Sequence, residues 1–198
     1  MWLHGENFFV SKPKALAGVD YLYSSGESTA LMDNIEKDIK KKFGGRLRIR
    51  VNGLLVEEGK ILMVRHQMAE DRSFWNLPGG GMQYGSDALD NLKREFLEET
   101  GLNVKVGNFL FVYEFLEPPL HAVELYFEVS KENGNLTVGI DPEMGPDKQI
   151  IKEIVYLSIN EINNIKNEEK HKLFWELNSI NEIRIWKGYF NFENNCIK

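Results

Sequence analysis

The chain has almost no cysteine, with a single residue, Cys196, among 198. One thiol cannot form a disulfide within the chain, which is typical of a reducing compartment, so we expect a cytoplasmic protein. Long hydrophobic runs are missing, which argues against a membrane-spanning helix. An excess of positive charge is missing too, since the net charge is −6 and the pI about 5.4. This balance argues against a protein that coats nucleic acid, but a nucleotide ligand is still possible because metal ions can bridge carboxylates to phosphates.

The remaining composition fits one globular domain, because 42% of the residues are hydrophobic. We divide the chain into an N-terminal extension with a helix (1–44), a main domain (45–180) and a C-terminal tail (181–198). Alternating or continuous apolar runs predict strands, and a broader apolar stripe predicts a late helix. The predicted strands are 46–56, 61–64, 104–116, 123–129 and 154–159, and the predicted late helix is 162–177. This order predicts an α+β fold with a mixed sheet.

The most informative segment is 80–102, GGMQYGSDALDNLKREFLEETGL. On a helix, Glu95, Glu98 and Glu99 occupy one face, with Cβ atoms about 5–6 Å apart. Three like charges at this spacing repel one another. Such crowding suits a site for Mg²⁺ or Mn²⁺, because hard cations take oxygen ligands.

A glycine loop precedes this acidic helix. Gly79, Gly80 and Gly81 follow a short predicted strand that ends at Pro78. Glycines let a backbone adopt positive φ and approach a ligand closely. The order of loop and helix therefore predicts a combined metal and phosphate site.

The ends of the helix carry recognisable signals. Ser86 is predicted to be the N-cap residue, with Asp87 and Asp90 in the first turn, and Gly101 is predicted to end the helix. The apolar residues predicted to face the core are Ala88, Leu89, Leu92 and Phe96.

The whole segment resembles the Nudix box, Gly-x5-Glu-x7-Arg-Glu-U-x-Glu-Glu-x-Gly-U, where U is a bulky apolar residue. The matching residues are Gly80, Arg94, Glu95, Phe96, Glu98, Glu99, Gly101 and Leu102. One specified position departs, because Ser86 stands where the family has its first Glu. The resemblance implies the Nudix fold, an α/β/α sandwich around a mixed β-sheet.

The resemblance also implies a function. Nudix hydrolases use Mg²⁺ or Mn²⁺ and a metal-activated water to cleave a pyrophosphate bond in a nucleoside diphosphate linked to another group. ADP-ribose, a nucleotide sugar and a nucleoside triphosphate are all substrates of this class, and the sequence does not choose among them. The implied metal ligands are Glu95, Glu98 and Glu99, with the carbonyl of Gly80 completing the set.

Two further roles follow from the same resemblance. Arg94 is implied to orient the carboxylates, in part through the first Glu of the box. Because Ser86 cannot act as that partner, we expect fewer bound ions or slower turnover. Many family members take a general base from a late loop, and here the acidic loop 139–147 offers Glu143 first and Asp147 second. An ordinary solvated loop is an equally good interpretation of that segment.

Substrate-binding residues are harder to read from sequence. Arg50 and Arg65 are candidate phosphate partners because arginine makes bidentate contacts, although strand arginines are often only solvated. Gly79 and Gly81 are candidates because their backbone can approach a ligand.

The sequence is compatible with two other functions. Ser86 and Gln83 suggest a catalytically weak Nudix-fold nucleotide sensor or binding module, whereas the intact set of Glu95, Glu98 and Glu99 favours an enzyme. Isomerase chemistry on an isoprenoid diphosphate would want a cysteine near the site, and Cys196 lies in the tail. The expected partner is a nucleotide-type small molecule, with no membrane and no stable nucleic-acid partner, and a homodimer is a weak expectation from the family.

Overall fold

The computed structural model describes residues 41–69, 72–139 and 149–191. Within them the strands are β1 (Leu47–Glu57), β2 (Lys60–Ala69), β3 (Arg72–Asn76), β4 (Gly79–Gly81), β5 (Leu102–Glu117), β6 (Leu120–Gly134), β7 (Ile151–Leu157) and β8 (Tyr189–Phe190). The helices are α1 (Ala88–Thr100), α2 (Ile159–Asn164) and α3 (Ile180–Ile185), with 3₁₀ turns at Asn167–Glu169 and Lys172–Phe174. The helix predicted in the N-terminal extension lies outside the described residues, apart from residues 41–43, which are helical. No described helix has the length and apolar character needed to cross a membrane.

Strand β1 is the centre of a mixed sheet with the order β3-β2-β1-β6-β5-β8. It pairs in parallel with β6 from Leu47 opposite His121 to Leu55 opposite Val129. Its other edge pairs antiparallel with the short strand β4, and its last residues form a hairpin with β2. The predicted α+β class with a mixed sheet is therefore confirmed, and β1 connects the glycine strand to the rest of the sheet.

The two faces of the sheet carry separate hydrophobic clusters. On one face, Leu92 and Phe96 of α1 pack against Val51 and Leu55 of β1. Gly53 allows this close approach, because a Cβ atom there would overlap the Phe96 ring. The residues of the second cluster come from the other face of the sheet and from the C-terminal elements, and include Leu54, Met63, Phe111, Tyr126, Phe174, Ile183 and Phe190. The sheet therefore separates α1 from the C-terminal segment.

The predicted helix 162–177 is wrong. Helix α2 begins earlier, because Ser158 and Glu161 form a capping box, and it ends at Asn164. Beyond it the chain forms two 3₁₀ turns, and the side chain of Asn163 donates to the carbonyl of Leu177. Asparagine favours turns over helix interiors because its amide competes for backbone groups. The predicted strand 154–159 is likewise shifted, to Ile151–Leu157.

Helix α1 agrees with the prediction except at its first turn. Asp87, not Ser86, is the N-cap, since its carboxylate accepts a hydrogen bond of 2.9 Å from the Asp90 amide. Leu89 is 42% exposed, so the predicted apolar stripe is narrower by one residue. Gly101 ends the helix in the left-handed conformation, at φ 72°, as predicted.

Candidate active site

The acidic face of α1 is formed as its spacing predicts. Glu95 and Glu99 are buried, at 7% and 5% exposure, and they point toward strand β4. Glu98 is half-buried one turn away. The three carboxylates therefore lie on one side of helix α1, and Glu95 and Glu99 face strand β4.

The glycines of β4 bring the backbone against these carboxylates. The Gly79 amide donates a hydrogen bond of 2.9 Å to Glu99 Oε2. At Gly80, a Cβ atom would overlap the Glu95 carboxylate, so a side chain there would displace that carboxylate. Gly79 also adopts a φ of 149°, which side-chain-bearing residues rarely adopt. The backbone of β4 therefore lies directly against the carboxylates of Glu95 and Glu99.

Arg94 clamps two of the carboxylates. Its Nη2 donates to Glu95 Oε1 at 2.6 Å and its Nη1 donates to Glu98 Oε2 at 2.5 Å. Burial alone would lower the pKa of Arg94, but the charges and hydrogen bonds of Glu95 and Glu98 raise it. Arg94 is therefore a fixed cation between two of the predicted metal ligands.

Glu95 carries the clearest electrostatic signature of the site. Burial raises its pKa to about 7, the charge of Glu99 adds to that rise, and Arg94 opposes it. A carboxyl group with this pKa is only partly ionised near neutral pH. A second positive charge at this position would favour its ionised form.

The donor set suits a hard divalent cation, since it consists of carboxylate oxygens with the glycine backbone beside them. Among the described residues, however, no group of three or more His, Cys, Asp or Glu side chains is arranged to hold an ion. The clamp by Arg94 explains this arrangement, because it directs oxygens of Glu95 and Glu98 toward the guanidinium. The residues fit Mg²⁺ or Mn²⁺ in chemistry, and Arg94 holds two of the three carboxylates.

A cavity of about 550 Å³ opens beside the acidic face. Glu95, Glu99 and the three residues of β4 are among the residues that line it. Its walls are largely aromatic and apolar and include Phe43, Phe74, Phe115, Leu120 and Trp175. A cavity of this size holds a small molecule, and aromatic walls suit a flat ring system.

A buried polar cluster on the sheet also lines this cavity, and sequence reasoning missed it. Glu124 of β6 is 5% exposed. Its Oε1 lies 3.3 Å from Arg50 Nε, and its Oε2 accepts a hydrogen bond of 2.9 Å from the Tyr126 hydroxyl. His171 Nε2 lies 3.0 Å from Glu124 Oε2, a close polar contact. The only signal in the sequence was one acid in the otherwise apolar run AVELYF.

The pKa of Glu124 in this cluster is shifted in the opposite direction to the pKa of Glu95. Burial by itself would raise the pKa of Glu124, but His171, Arg50 and the Tyr126 hydroxyl outweigh it and hold that pKa below its usual range. The same environment, through burial and the Glu124 charge, raises the pKa of Tyr126 well above its usual value. The partners of Glu124 therefore favour its ionised form despite its burial.

The histidine of this cluster is fixed in one tautomer. His171 Nδ1 accepts a hydrogen bond of 3.1 Å from the Leu173 amide. The imidazole proton is therefore assigned to Nε2, which faces Glu124. The C-terminal 3₁₀ segment thus presents a donor to the buried carboxylate.

The remaining predicted site residues are distributed unevenly. Arg50, Gly79 and Gly81 line the cavity, as does His66, whose Nε2 is 3.8 Å from Glu99 Oε1. Arg65 contacts Glu153 at 2.9 Å and Ser73 at 3.3 Å, and it is not among the residues that line the cavity. Glu143 and Asp147 lie outside the described residues.

The sequence model of the NUDIX domain matches residues 46–176 of this chain. Among curated proteins, an ADP-ribose pyrophosphatase of Methanocaldococcus jannaschii is 30% identical over 95 residues, which are 47% of this chain and 56% of that protein. An 8-oxo-dGTP diphosphatase of Buchnera aphidicola is 31% identical over 78 residues, which are 39% of this chain and 60% of that protein. The chain spans about half the length of the curated relatives it matches.

Solved structures agree on the fold. A UDP-X diphosphatase superposes with a TM-score of 0.55 at 21% identity, over 80% of this chain and 74% of that one. A NUDIX hydrolase from Nitrosomonas europaea superposes with a TM-score of 0.52 at 19% identity, over 59% of this chain and 76% of that one. At these identities, the likeness establishes the architecture of the sheet and its helices alone.

Proposed function

Because this chain belongs to the Nudix family, we propose that it hydrolyses a pyrophosphate bond in a nucleoside diphosphate linked to another group, with Mg²⁺ or Mn²⁺ as cofactor. One observation carries the proposal. Glu95 and Glu99 of α1 lie against the backbone of β4, and together with β4 they line a cavity large enough for a small organic ligand. A pyrophosphate bound beside β4 would lie close to the clustered carboxylates and to the glycine backbone. The groups attached to it would extend between the aromatic walls of the cavity.

The chemistry divides between ion and protein. A bound divalent ion would neutralise the phosphate oxygens and lower the pKa of the attacking water. Glu95, Glu98 and Glu99 would hold that ion, together with the carbonyl of Gly80. Arg94 would hold the carboxylates of Glu95 and Glu98 in place before an ion binds. Phosphoryl transfer needs positioning and charge neutralisation more than covalent help, and this is what these residues supply.

The substrate class is supported by the relatives and by the cavity. ADP-ribose pyrophosphatases are among the curated relatives, and Arg50 is one of the cations at the cavity wall. We propose ADP-ribose or a nucleotide sugar ahead of a nucleoside triphosphate, because a cavity with aromatic walls suits a substrate with rings at both ends of its pyrophosphate. Glu143 as the general base and a homodimeric state stay predictions.

The test is a panel assay with purified full-length protein. Release of phosphate and nucleotide is followed with ADP-ribose, a UDP-sugar and a nucleoside triphosphate, each with Mg²⁺, Mn²⁺ or EDTA. Glu98→Gln serves as the paired variant. Metal-dependent cleavage of one substrate class, lost in the variant, supports the proposal. If all three classes remain uncut under every metal condition, the hydrolase assignment is wrong.

A second candidate is a nucleotide sensor with little turnover. It is favoured by the clamp of Arg94 on Glu95 and Glu98, because the residue that shares this arginine in the family is replaced by Ser86. A sensor would bind ADP-ribose in a calorimeter with or without metal and leave it intact. The two candidates are separated by analysing the ligand after the titration.

A further inference from the structure

Both polar backbone groups of Gly79 are held by side chains from distant parts of the chain. Its amide donates to Glu99 Oε2 at 2.9 Å, and its carbonyl accepts from Arg50 Nη2 at 3.2 Å. Glu99 belongs to α1, whereas Arg50 belongs to β1 and is directed to the opposite face of the sheet. Gly79 is therefore the point at which the acidic face of α1 and the buried polar cluster meet.

Arg50 in turn is held by Glu124. The two residues are neighbours in the parallel pairing of β1 with β6, and Arg50 Nε lies 3.3 Å from Glu124 Oε1. This leaves Nη2 directed at Gly79. Glu124 Oε2 is engaged by the Tyr126 hydroxyl and approached by His171. Every oxygen of the buried carboxylate thus has a partner, so it cannot rotate without breaking a contact in a desolvated space.

We propose that Glu124 is a positioning residue that acts through Arg50, holding the β4 backbone in place for the acidic face of α1. Three links carry the effect: Glu124 to Arg50, Arg50 to the Gly79 carbonyl, and the Gly79 amide to Glu99. Both oxygens of Glu124 are engaged by protein groups, which suits a role in positioning. The proposal rests on the proposed function for its catalytic meaning, but the positioning is a property of the protein before any metal or substrate binds.

His171 connects this chain of contacts to the C-terminal segment. The backbone amide of His171 donates to the Trp75 carbonyl at 3.0 Å, which fixes the 3₁₀ segment to the sheet. Its ring stands edge-on to Tyr113, with centroids 4.9 Å apart. The segment that forms one wall of the cavity is therefore coupled through Glu124 to the β4 backbone.

The test measures amide hydrogen exchange at Gly79 in the metal-free, full-length protein. Glu124→Gln removes the charge that holds Arg50, and we expect exchange at Gly79 to accelerate about tenfold, as for the loss of a charge-assisted contact. Arg50→Lys keeps a positive charge beside Glu124 but has no second arm for the Gly79 carbonyl, so we expect a similar acceleration. Exchange at wild-type rate in both variants would overturn the proposal.

A matched control comes from the same strand. Glu128 pairs with Arg184 at 3.0 Å, lies four residues along β6 from Glu124, and is not among the residues that line the cavity. Glu128→Gln should leave exchange at Gly79 unchanged. An equal acceleration in this variant would mean that any lost ion pair loosens β4, and it would also overturn the proposal.

A double-mutant cycle then asks whether Glu124 acts through Arg50. If it does, the Glu124→Gln, Arg50→Lys double variant exchanges at Gly79 no faster than the faster single variant. Additive effects would show that Glu124 acts by another route. In a parallel titration, Mn²⁺ affinity should fall about tenfold in Glu124→Gln and stay at the wild-type value in Glu128→Gln. Because exchange is measured without metal or substrate, a failure of the hydrolase assignment would leave the exchange result standing.

Discussion

Glu95 and Glu124 are the same residue type with nearly the same exposure, 7% and 5%, and their electrostatics are opposite. Burial and the charge of Glu99 raise the pKa of Glu95 to about 7, and Arg94 only partly offsets them. Burial also works against Glu124, but His171, Arg50 and Tyr126 together hold its pKa below the usual range. Burial alone therefore does not decide whether a carboxylate is ionised, because the number and sign of its partners do. A buried carboxylate with few cationic or hydrogen-bonding partners, such as Glu95, can still accept an ion. A buried carboxylate with several such partners, such as Glu124, stabilises the fold.

The largest test of this comparison removes the carboxylates assigned to the ion. Glu98→Gln and Glu99→Gln are each expected to lower kcat on the active substrate by about 10²–10³-fold, because charge stabilisation at the phosphates is lost. Steady-state kinetics would measure this loss, with Glu132→Gln as an exposed control on β6. Turnover at the wild-type level in either variant would remove that residue from the site.

The second test compares stability. Glu124→Gln should lower the free energy of unfolding by about 3 kcal/mol, since it leaves Arg50 and His171 without their buried partner. Glu95→Gln should cost far less, or even stabilise the protein, because it replaces a carboxyl group that is costly to ionise. Urea denaturation at pH 7 with EDTA gives both values. A larger loss in Glu95→Gln than in Glu124→Gln would reverse the comparison.

The third test uses pH on the metal-free protein. The pKa of Glu95 is higher in the folded than in the unfolded state, so the folded state binds the extra proton. Its contribution to stability therefore falls as pH rises from about 4.5 to about 7, by at most about 1.4 kcal/mol per pH unit. The pKa of Glu124 is lowered, so its contribution is complete above the unfolded pKa and is lost as pH falls through the folded one. Glu95→Gln should flatten the first slope and spare the second, as followed by urea midpoints across pH 3–8.

The smallest expected effect comes from giving Arg94 another partner. The resemblance implies that the first Glu of the box shares this arginine, so Ser86→Glu should draw it from Glu98 and raise Mn²⁺ affinity about threefold, the scale of a partly exposed ion pair. Ser86→Gln is the uncharged control, and calorimetry measures both. Equal affinity in the two variants would show that residue 86 does not compete for Arg94.

The sequence predicted the acidic helix because a helix face depends on local spacing. Residues three and four apart share a helix face whatever surrounds them, and Glu95, Glu98 and Glu99 do so here. Gly79, Gly80 and Gly81 were predicted as a loop and form strand β4 instead, because their pairing with β1 is a tertiary contact. Glu124 and His171 could not be paired in advance, since they come from β6 and from an irregular C-terminal segment that only tertiary packing brings together. The helix predicted at 162–177 was wrong for a related reason. Its apolar residues Leu173, Phe174 and Leu177 are buried as expected, but by 3₁₀ turns in place of a continuous helix.

The short turns that form one wall of the cavity have a consequence for how this protein can diversify. The metal-ligand candidates lie on helix α1 and on strand β4. The register of β1 with its neighbours is fixed, because a shift of one residue would place the side chain of Arg50 on the face of the sheet that Val51 now occupies. The segment from Asn167 to Trp175 has no such register to keep outside its contacts at Lys170 and His171. Substitutions at the cavity-lining residues of this segment, such as Glu168 and Trp175, would alter the lining of the cavity while leaving the carboxylates on α1 in place. Selection can therefore change which molecule is accepted while leaving intact the machinery that acts on it.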